Sequence, residues 1–173
     1  MDHLFDLTGK VAIVTGGSRG LGKQIVETYA AKGANVVIVS RNLQDCTEVA
    51  NMVMHTGVQA MPVKCDLANL DDITELFKSV MDRFGKLDIL VNNAGVNRTK
   101  PALDVTKEDW DFIFDVNLRG LFFSCQEAAK IMMEQGNGKI INVSSIGGLK
   151  TFKRIAPYNA SKAGVIHLTR SLA

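Results

Sequence analysis

Cysteine and proline are scarce in this sequence, three of each, and aromatic side chains make up only 6% of it. Cys46, Cys65 and Cys125 are odd in number and far apart, which argues against a disulfide framework as the basis of the fold. No Cys-x-x-Cys or paired-histidine spacing offers a metal site. The thiols read instead as free, buried or half-buried groups in a reducing compartment. His3, His55 and His167 stand alone, so surface or core roles suit them better than catalysis. Long hydrophobic runs are absent as well. The longest, such as Val36 to Val39, have the length of a strand and fall far short of a membrane span. The segment from Met1 to Lys10 carries Asp2, Asp6 and Lys10 and has no secretory apolar core. Charge of one sign is lacking too: 20 Lys and Arg against 18 Asp and Glu leave a net +2, scattered rather than gathered in a stripe. No nucleic-acid partner is expected from such a surface. The expectation is a cytoplasmic protein without membrane, metal or nucleic acid.

What is present is a balance of 46% hydrophobic and 22% charged residues over 173 positions, enough for a single domain (1–173) with a sizeable core. Short β-branched runs alternate with amphipathic stretches. Strands are expected at Val11 to Val14, Asn35 to Val39, Val58 to Lys64, Leu87 to Val91 and Lys139 to Val143. Helices are expected from Gly22 to Lys32, Leu43 to Thr56, after the cap Asn69 to Phe84, and from Thr106 to about Gln135. A last helix has Pro157 in its first turn. Gly33, Gly57 and Gly85 stand where helices should stop. Strands alternating with helices predict a parallel sheet covered on both faces, the doubly wound, Rossmann-like α/β class.

Two constellations carry chemistry. The first strand runs into Thr15-Gly16-Gly17-Ser18-Arg19-Gly20-Leu21-Gly22. Glycines there allow a tight turn and let backbone N–H groups approach a pyrophosphate at the next helix N-terminus. The second strand ends in Ser40-Arg41, with no carboxylate for an adenosine ribose hydroxyl. Arg19 and Arg41 suit a 2′-phosphate, which favours NADP over NAD; the plain alternative is two surface arginines. Farther on, Tyr158 and Lys162 lie one turn apart on a helix face. An ammonium beside a phenol favours the phenolate, which makes a tyrosine a usable proton donor and acceptor. Ser145 follows the fifth strand, where such a sheet presents its ligand crevice, although a Ser-Ser pair there also suits an ordinary loop.

Together these residues, with Asn92-Asn93-Ala94-Gly95 and Asn117, are similar to the short-chain dehydrogenase/reductase family over essentially the whole chain. The resemblance implies a strand order of 3-2-1-4-5 and a catalytic set of Asn117, Ser145, Tyr158 and Lys162. Tyr158 would exchange a proton with the substrate oxygen, Ser145 would hydrogen-bond that oxygen, and Lys162 would favour the phenolate and hold the nicotinamide ribose. Asn117 would hold a water linking Lys162 to solvent. The implied cofactor contacts are Gly16, Ser18, Arg19, Gly20, Leu21, Gly22, Arg41, Asp66 and Leu67 at the adenine, then Asn93, Ala94, Gly95, Tyr158 and Lys162.

Within the family the chain resembles the sugar-acid branch, typified by gluconate 5-dehydrogenase, through Leu4 to Lys10 and Asn92 to Pro101. Arg98, Lys100, Lys150, Lys153 and Arg154 would flank the mouth of the site and suit a carboxylated substrate. They suit equally an acidic carrier protein, as in 3-oxoacyl-carrier-protein reductases, or serve as solvated loop cations. The family also implies a homo-oligomer when full length, formed through the long and last helices, with Leu118, Leu121 and Phe122 as candidates. It implies further elements after the last helix, so the chain is expected to be incomplete at its C-terminus, with the later strands missing. A fragment of an active reductase is one reading. A non-catalytic, truncated dinucleotide-binding paralogue is the alternative from another class.

Overall fold

The structure, a computed structural model, describes residues 5–173; Met1, Asp2, His3 and Leu4, named above, lie outside the described residues. Five strands, β1 (Val11–Thr15), β2 (Asn35–Ser40), β3 (Ala60–Lys64), β4 (Ile89–Asn92) and β5 (Lys139–Asn142), form one sheet. Its order is β3-β2-β1-β4-β5, and every neighbouring pair is parallel. The helices are α1 (Gly20–Ala31), α2 (Leu43–Val53), α3 (Leu70–Phe84), α4 (Lys107–Phe114), α5 (Leu121–Gln135) and α6 (Ala156–Leu172).

The two-residue period of the strands sorts the core into two layers. Val11, Ile13, Val37, Val39 and Leu90 point to the face covered by Leu76, Phe77 and Val80 of α3 and Ala128 and Met132 of α5. Ala12, Val14, Val36, Ile38, Ile89 and Val91 point to the other face, under Val26 and Ala30 of α1 and Val49, Ala50 and Val53 of α2. Because both faces are buried, the central strands are apolar at nearly every position rather than alternating. Each buried Val, Leu, Ile, Phe or Met among them contributes about 1.5–3 kcal/mol.

Proline has a place in this sheet. Along β3 the odd positions bond to β2: Gln59 accepts from Val36 N–H and Cys65 N–H donates to Ser40. Pro62 lies at an even position, so its missing N–H faces away from the sheet on an edge strand, where no ladder bond is lost.

The expected elements are present with shifted ends. β3 starts at Ala60 rather than Val58, and β4 at Ile89 rather than Leu87. Helix α2 tightens at Met54–Thr56 into a 3-10 turn before Gly57. The long helix departs more from expectation. Between α4 and α5, Asp115–Gly120 is π-helical, so one turn is widened. Asn117 is buried there, and Gly120 lies so close to Leu67 that a Cβ would come within 2.2 Å of the Leu67 carbonyl oxygen. Leu121, a candidate for an oligomer face, is instead core, packed with Cys125 and Val165. Leu118 and Phe122 line an open groove between the long helix and α6, together with Trp110, Phe114 and Leu168. The three cysteines are free and buried, and none of the described helices is long and apolar enough to cross a membrane.

At the amino end of the sheet, Asp88 is the buried counterion that ties β1 to the turn before β4. Its carboxylate accepts from Val11 N–H at 2.9 Å and pairs with Lys86 at 3.0 Å and Lys10 at 3.3 Å. Burial alone would raise its pKa, but these three donors together outweigh that and hold it below the ordinary value. A carboxylate depressed in the folded state contributes stability above its unfolded pKa, and this is lost as pH falls through the folded value. Asp88→Asn is therefore expected to cost about 1–3 kcal/mol at neutral pH and to flatten the acid limb of stability against pH, measured by urea unfolding across the acid range.

Candidate functional site

At the carboxyl ends of the strands, where the order turns from β1 to β4, lies a cavity of about 410 Å³, within the size range of ligand sites. It is lined by Gly16, Ser18, Arg19, Gly20, Leu21 and Gly22 from the first turn, Arg41 after β2, Asp66 and Leu67 after β3, and Asn93, Ala94 and Gly95 after β4. Every residue expected to contact a dinucleotide, apart from Tyr158 and Lys162, is thus brought to one crevice.

The turn requires its glycines. Gly16 and Gly20 have positive φ, 65° and 54°. Gly22 is held closer still: a Cβ would meet the Gly16 carbonyl oxygen at 2.1 Å and Asn93 Nδ2 at 2.5 Å. Helix α1 then begins at the cavity with no side-chain cap and no acidic residue in its first turn. By contrast α2, α3 and α4 are capped by the side chains of Asn42, Asn69 and Thr106. Open N–H groups at a positive helix end, facing a glycine-lined hollow with two arginines, fit the pyrophosphate and the adenosine end of a dinucleotide.

The turn is fastened to the β4 loop by two side chains. Thr15 Oγ1 accepts from the N–H groups of Asn93 at 3.0 Å and Ala94 at 3.1 Å, and donates to the Val91 carbonyl at 3.3 Å. Asn93 Nδ2 donates back to the carbonyls of Thr15 at 2.9 Å and Gly16 at 3.3 Å. Asn92 faces the other way, into the sheet, and donates to Asn142 at 3.0 Å.

The second constellation meets this crevice at Gly95. A Cβ there would be 3.4 Å from Lys162 Nζ and 3.5 Å from Asn117 Oδ1. Lys162 is 3% exposed, and its ammonium donates to the Val143 carbonyl at 2.9 Å and lies 6.0 Å from the Tyr158 ring centroid. Burial pushes its pKa down from the usual lysine value. Asn117 brackets Val96, accepting from its N–H at 2.8 Å and donating to its carbonyl at 2.9 Å, and donates to Ser161 Oγ at 3.1 Å. Its side chain therefore fixes the loop that carries Gly95. Ser145 Oγ accepts from Gly147 N–H at 3.0 Å, turning the chain after β5. A Cβ on Gly147 would stand 3.4 Å from Ser145 Oγ and 3.5 Å from Tyr158 Cε1, so hydroxyl and phenol ring converge on one backbone point.

Other cavity residues were not anticipated. Val39, Ser40, Asn42, Asp45, Cys65, Val96 and Val116 also line it. Asn42 and Asp45, bonded to each other at 2.7 Å, lie beside Arg41 at the crevice. Cys65 faces the cavity, yet burial, with the carboxylates of Asp72 and Asp66 adding to it, pushes its thiol up to about 12. Two of the cations expected at the mouth of the site are otherwise engaged: Arg98 and Lys100 both bind Asp109, at 2.8 and 2.5 Å. Lys150, Lys153 and Arg154 remain exposed.

Comparison with known proteins agrees with this geometry. The chain is 38% identical over 168 residues to a 3-oxoacyl-[acyl-carrier-protein] reductase from Synechocystis, covering 96% of this chain and 68% of that protein. It is 39% identical over 170 residues to the 2-dehydro-3-deoxy-D-gluconate 5-dehydrogenase of Escherichia coli, covering 98% of this chain and 66% of that one. A crystal structure of a metagenomic short-chain oxidoreductase in complex with NADP superposes with a TM-score of 0.93 at 35% identity, over 96% of this chain and 76% of that one. The chain thus spans about two thirds of the length of the curated relatives it matches. The short chain dehydrogenase family model matches residues 10–173, and this chain belongs to that family of oxidoreductases.

Proposed function

We propose that the protein transfers a hydride between NADP(H) and a carbonyl or secondary-alcohol carbon. The observation that carries this reading is the meeting of the glycine-lined crevice with the buried Lys162 at Gly95. When bound, the dinucleotide would supply or accept the hydride at its nicotinamide ring. Gly16 to Gly22 and the open end of α1 would hold the pyrophosphate, and Arg19 and Arg41 the 2′-phosphate. Asp66 and Leu67 would flank the adenine, and Asn93 to Gly95 would lie along the adenosine ribose. Tyr158 would give its phenolic proton to the substrate oxygen in reduction and take it back in oxidation. Ser145 would donate its hydroxyl to the same oxygen, stabilising the charge that develops there. Lys162 would hold the nicotinamide ribose and stabilise the phenolate through its positive charge. Asn117 would hold a water leading from Lys162 to solvent.

The substrate we infer is a sugar acid or another small hydroxy compound, its acidic end met by Lys150 and Lys153 now that Arg98 and Lys100 are paired with Asp109. The similarity to the Synechocystis protein favours a second reading, a 3-oxoacyl thioester on an acidic carrier. NADPH oxidation with a keto sugar acid against a 3-oxoacyl thioester separates the two. The groove of Leu118, Phe122 and Trp110 is the face we assign to self-association of the full-length protein.

Three outcomes test this reading. Tyr158→Phe should keep the NADPH Kd within about twofold while turnover falls by about two orders of magnitude or more; substantial residual turnover would remove Tyr158 from the mechanism. Isothermal titration should give a lower Kd for NADPH than for NADH, with the preference lost in the Arg19→Ala, Arg41→Ala double variant. A lower NADH constant in the wild type would overturn the cofactor reading, and tight NADPH binding with no turnover on any carbonyl would favour a non-catalytic binding protein. Finally, Lys162→Met should abolish turnover but fold at least as stably, because the ammonium is held in the interior for function. Since burial lowers the lysine pKa, its cost is full at low pH and disappears as pH rises through the folded value towards 10.5. The stability difference between the two proteins should therefore shrink on raising the pH, as read from urea midpoints.

A further inference from the structure

Asp109 lies at the start of α4, away from the crevice, yet it is 3% exposed and binds more groups than a helix cap requires. Its Oδ1 accepts from Arg98 and its Oδ2 from Lys100, while Oδ2 also accepts from Thr106 N–H at 3.1 Å and Asp109 N–H donates back to Thr106 Oγ1 at 3.2 Å. The Arg98 guanidinium is further fixed over the Phe112 ring, 4.1 Å from its centroid. The two cations, Lys100 first, hold the Asp109 carboxyl well below the usual carboxylate range.

Lys100 has a second bond that links this cluster to the reactive side chains. Its backbone N–H donates to the Arg154 carbonyl at 2.8 Å. Arg154 is the one non-glycine residue with positive φ, 65°, among the described residues, a conformation that needs support from its surroundings. Two residues later α6 begins, carrying Tyr158 and Lys162. The chain from Asn93 to Pro101 is thus pinned at one end by Asn117, through Val96, and at the other by Asp109, through Arg98 and Lys100. The entry to α6 rests on the second pin.

We propose that Asp109 is a positioning residue for the hydride-transfer site: through Lys100 it fixes the Gly95–Val96 loop and the Arg154 turn relative to each other, and so sets the placement of Tyr158 and Lys162 against the crevice. This rests on the functional reading above, but its first test needs neither cofactor nor turnover. Hydrogen–deuterium exchange of the ligand-free protein should show Asp109→Asn speeding exchange about tenfold in two segments, 95–101 and 150–158, with β1 and β2 unchanged. Lys100→Met, which leaves the capping box and the Arg98 pair in place, should do the same, and it carries the test if Asp109→Asn fails to fold. In NADPH oxidation with 2,3-butanedione as probe, both variants should lose kcat by about tenfold while the KM for NADPH stays within twofold. Loosening confined to the first turn of α4, loosening of the whole sheet, or unchanged kcat would each overturn the proposal. Failure of the hydride-transfer reading is distinguishable, because it would show in Tyr158→Phe while leaving the exchange result intact.

Discussion

The hydroxyl of Thr15 and the carboxamide of Asn93 hold together the carboxyl ends of two strands that the chain leaves in opposite directions. From β1 the chain turns through glycines into α1 on one face; from β4 it leaves as an extended loop towards α4 on the other. A crevice must open where the two connections diverge. Four hydrogen bonds exchanged between Thr15–Gly16 and Asn93–Ala94 keep that crevice at fixed width. Around them the backbone comes so close that only glycine fits at position 22. The dinucleotide crevice and the loop bearing Gly95 are therefore one construction, because the same side chains shape both.

Against this apolar, hydrogen-bonded frame, the buried Lys162 stands out as a deliberate expense. Among the described residues its ammonium has a single hydrogen bond, to a backbone carbonyl, and no carboxylate bonded to it. Elsewhere the fold pairs its enclosed charges: Asp88 with two lysines, Asp109 with an arginine and a lysine. A cation without a counterion in the interior is costly, and it sits where the crevice and the Tyr158 ring meet. The π-helical turn has the same character. Regular helix would be more stable there, and the widened turn instead delivers the Asn117 amide to the backbone of Val96.

Much of this was readable beforehand, and the reasons are local. Strands buried on both faces announce themselves as short apolar runs, and glycine stops and polar caps delimit the helices between them, so the sheet and its helices followed from pattern. Gly16 to Gly22 sits at a fixed offset from β1, which placed the crevice. What pattern did not reveal was who pairs with whom. Arg98 and Lys100 look the same in sequence whether they face a substrate or a buried Asp109. Asp109 itself reads as an ordinary first-turn acid. The π turn lies inside what reads as one continuous helix from Thr106 to Gln135. The position of Asn42 and Asp45 beside Arg41 depends on how β2 meets the crevice.

The two borders of the sheet differ in kind. On the β3 side, Pro62 turns a ring outward where another strand would need a donor, so that border refuses a neighbour. On the β5 side, Lys139 and Ile141 are exposed along a strand that carries no such interruption. The two borders therefore differ in the backbone donors they present. A strand added beside β3 would find no donor at Pro62, whereas one beside β5 would meet no such gap.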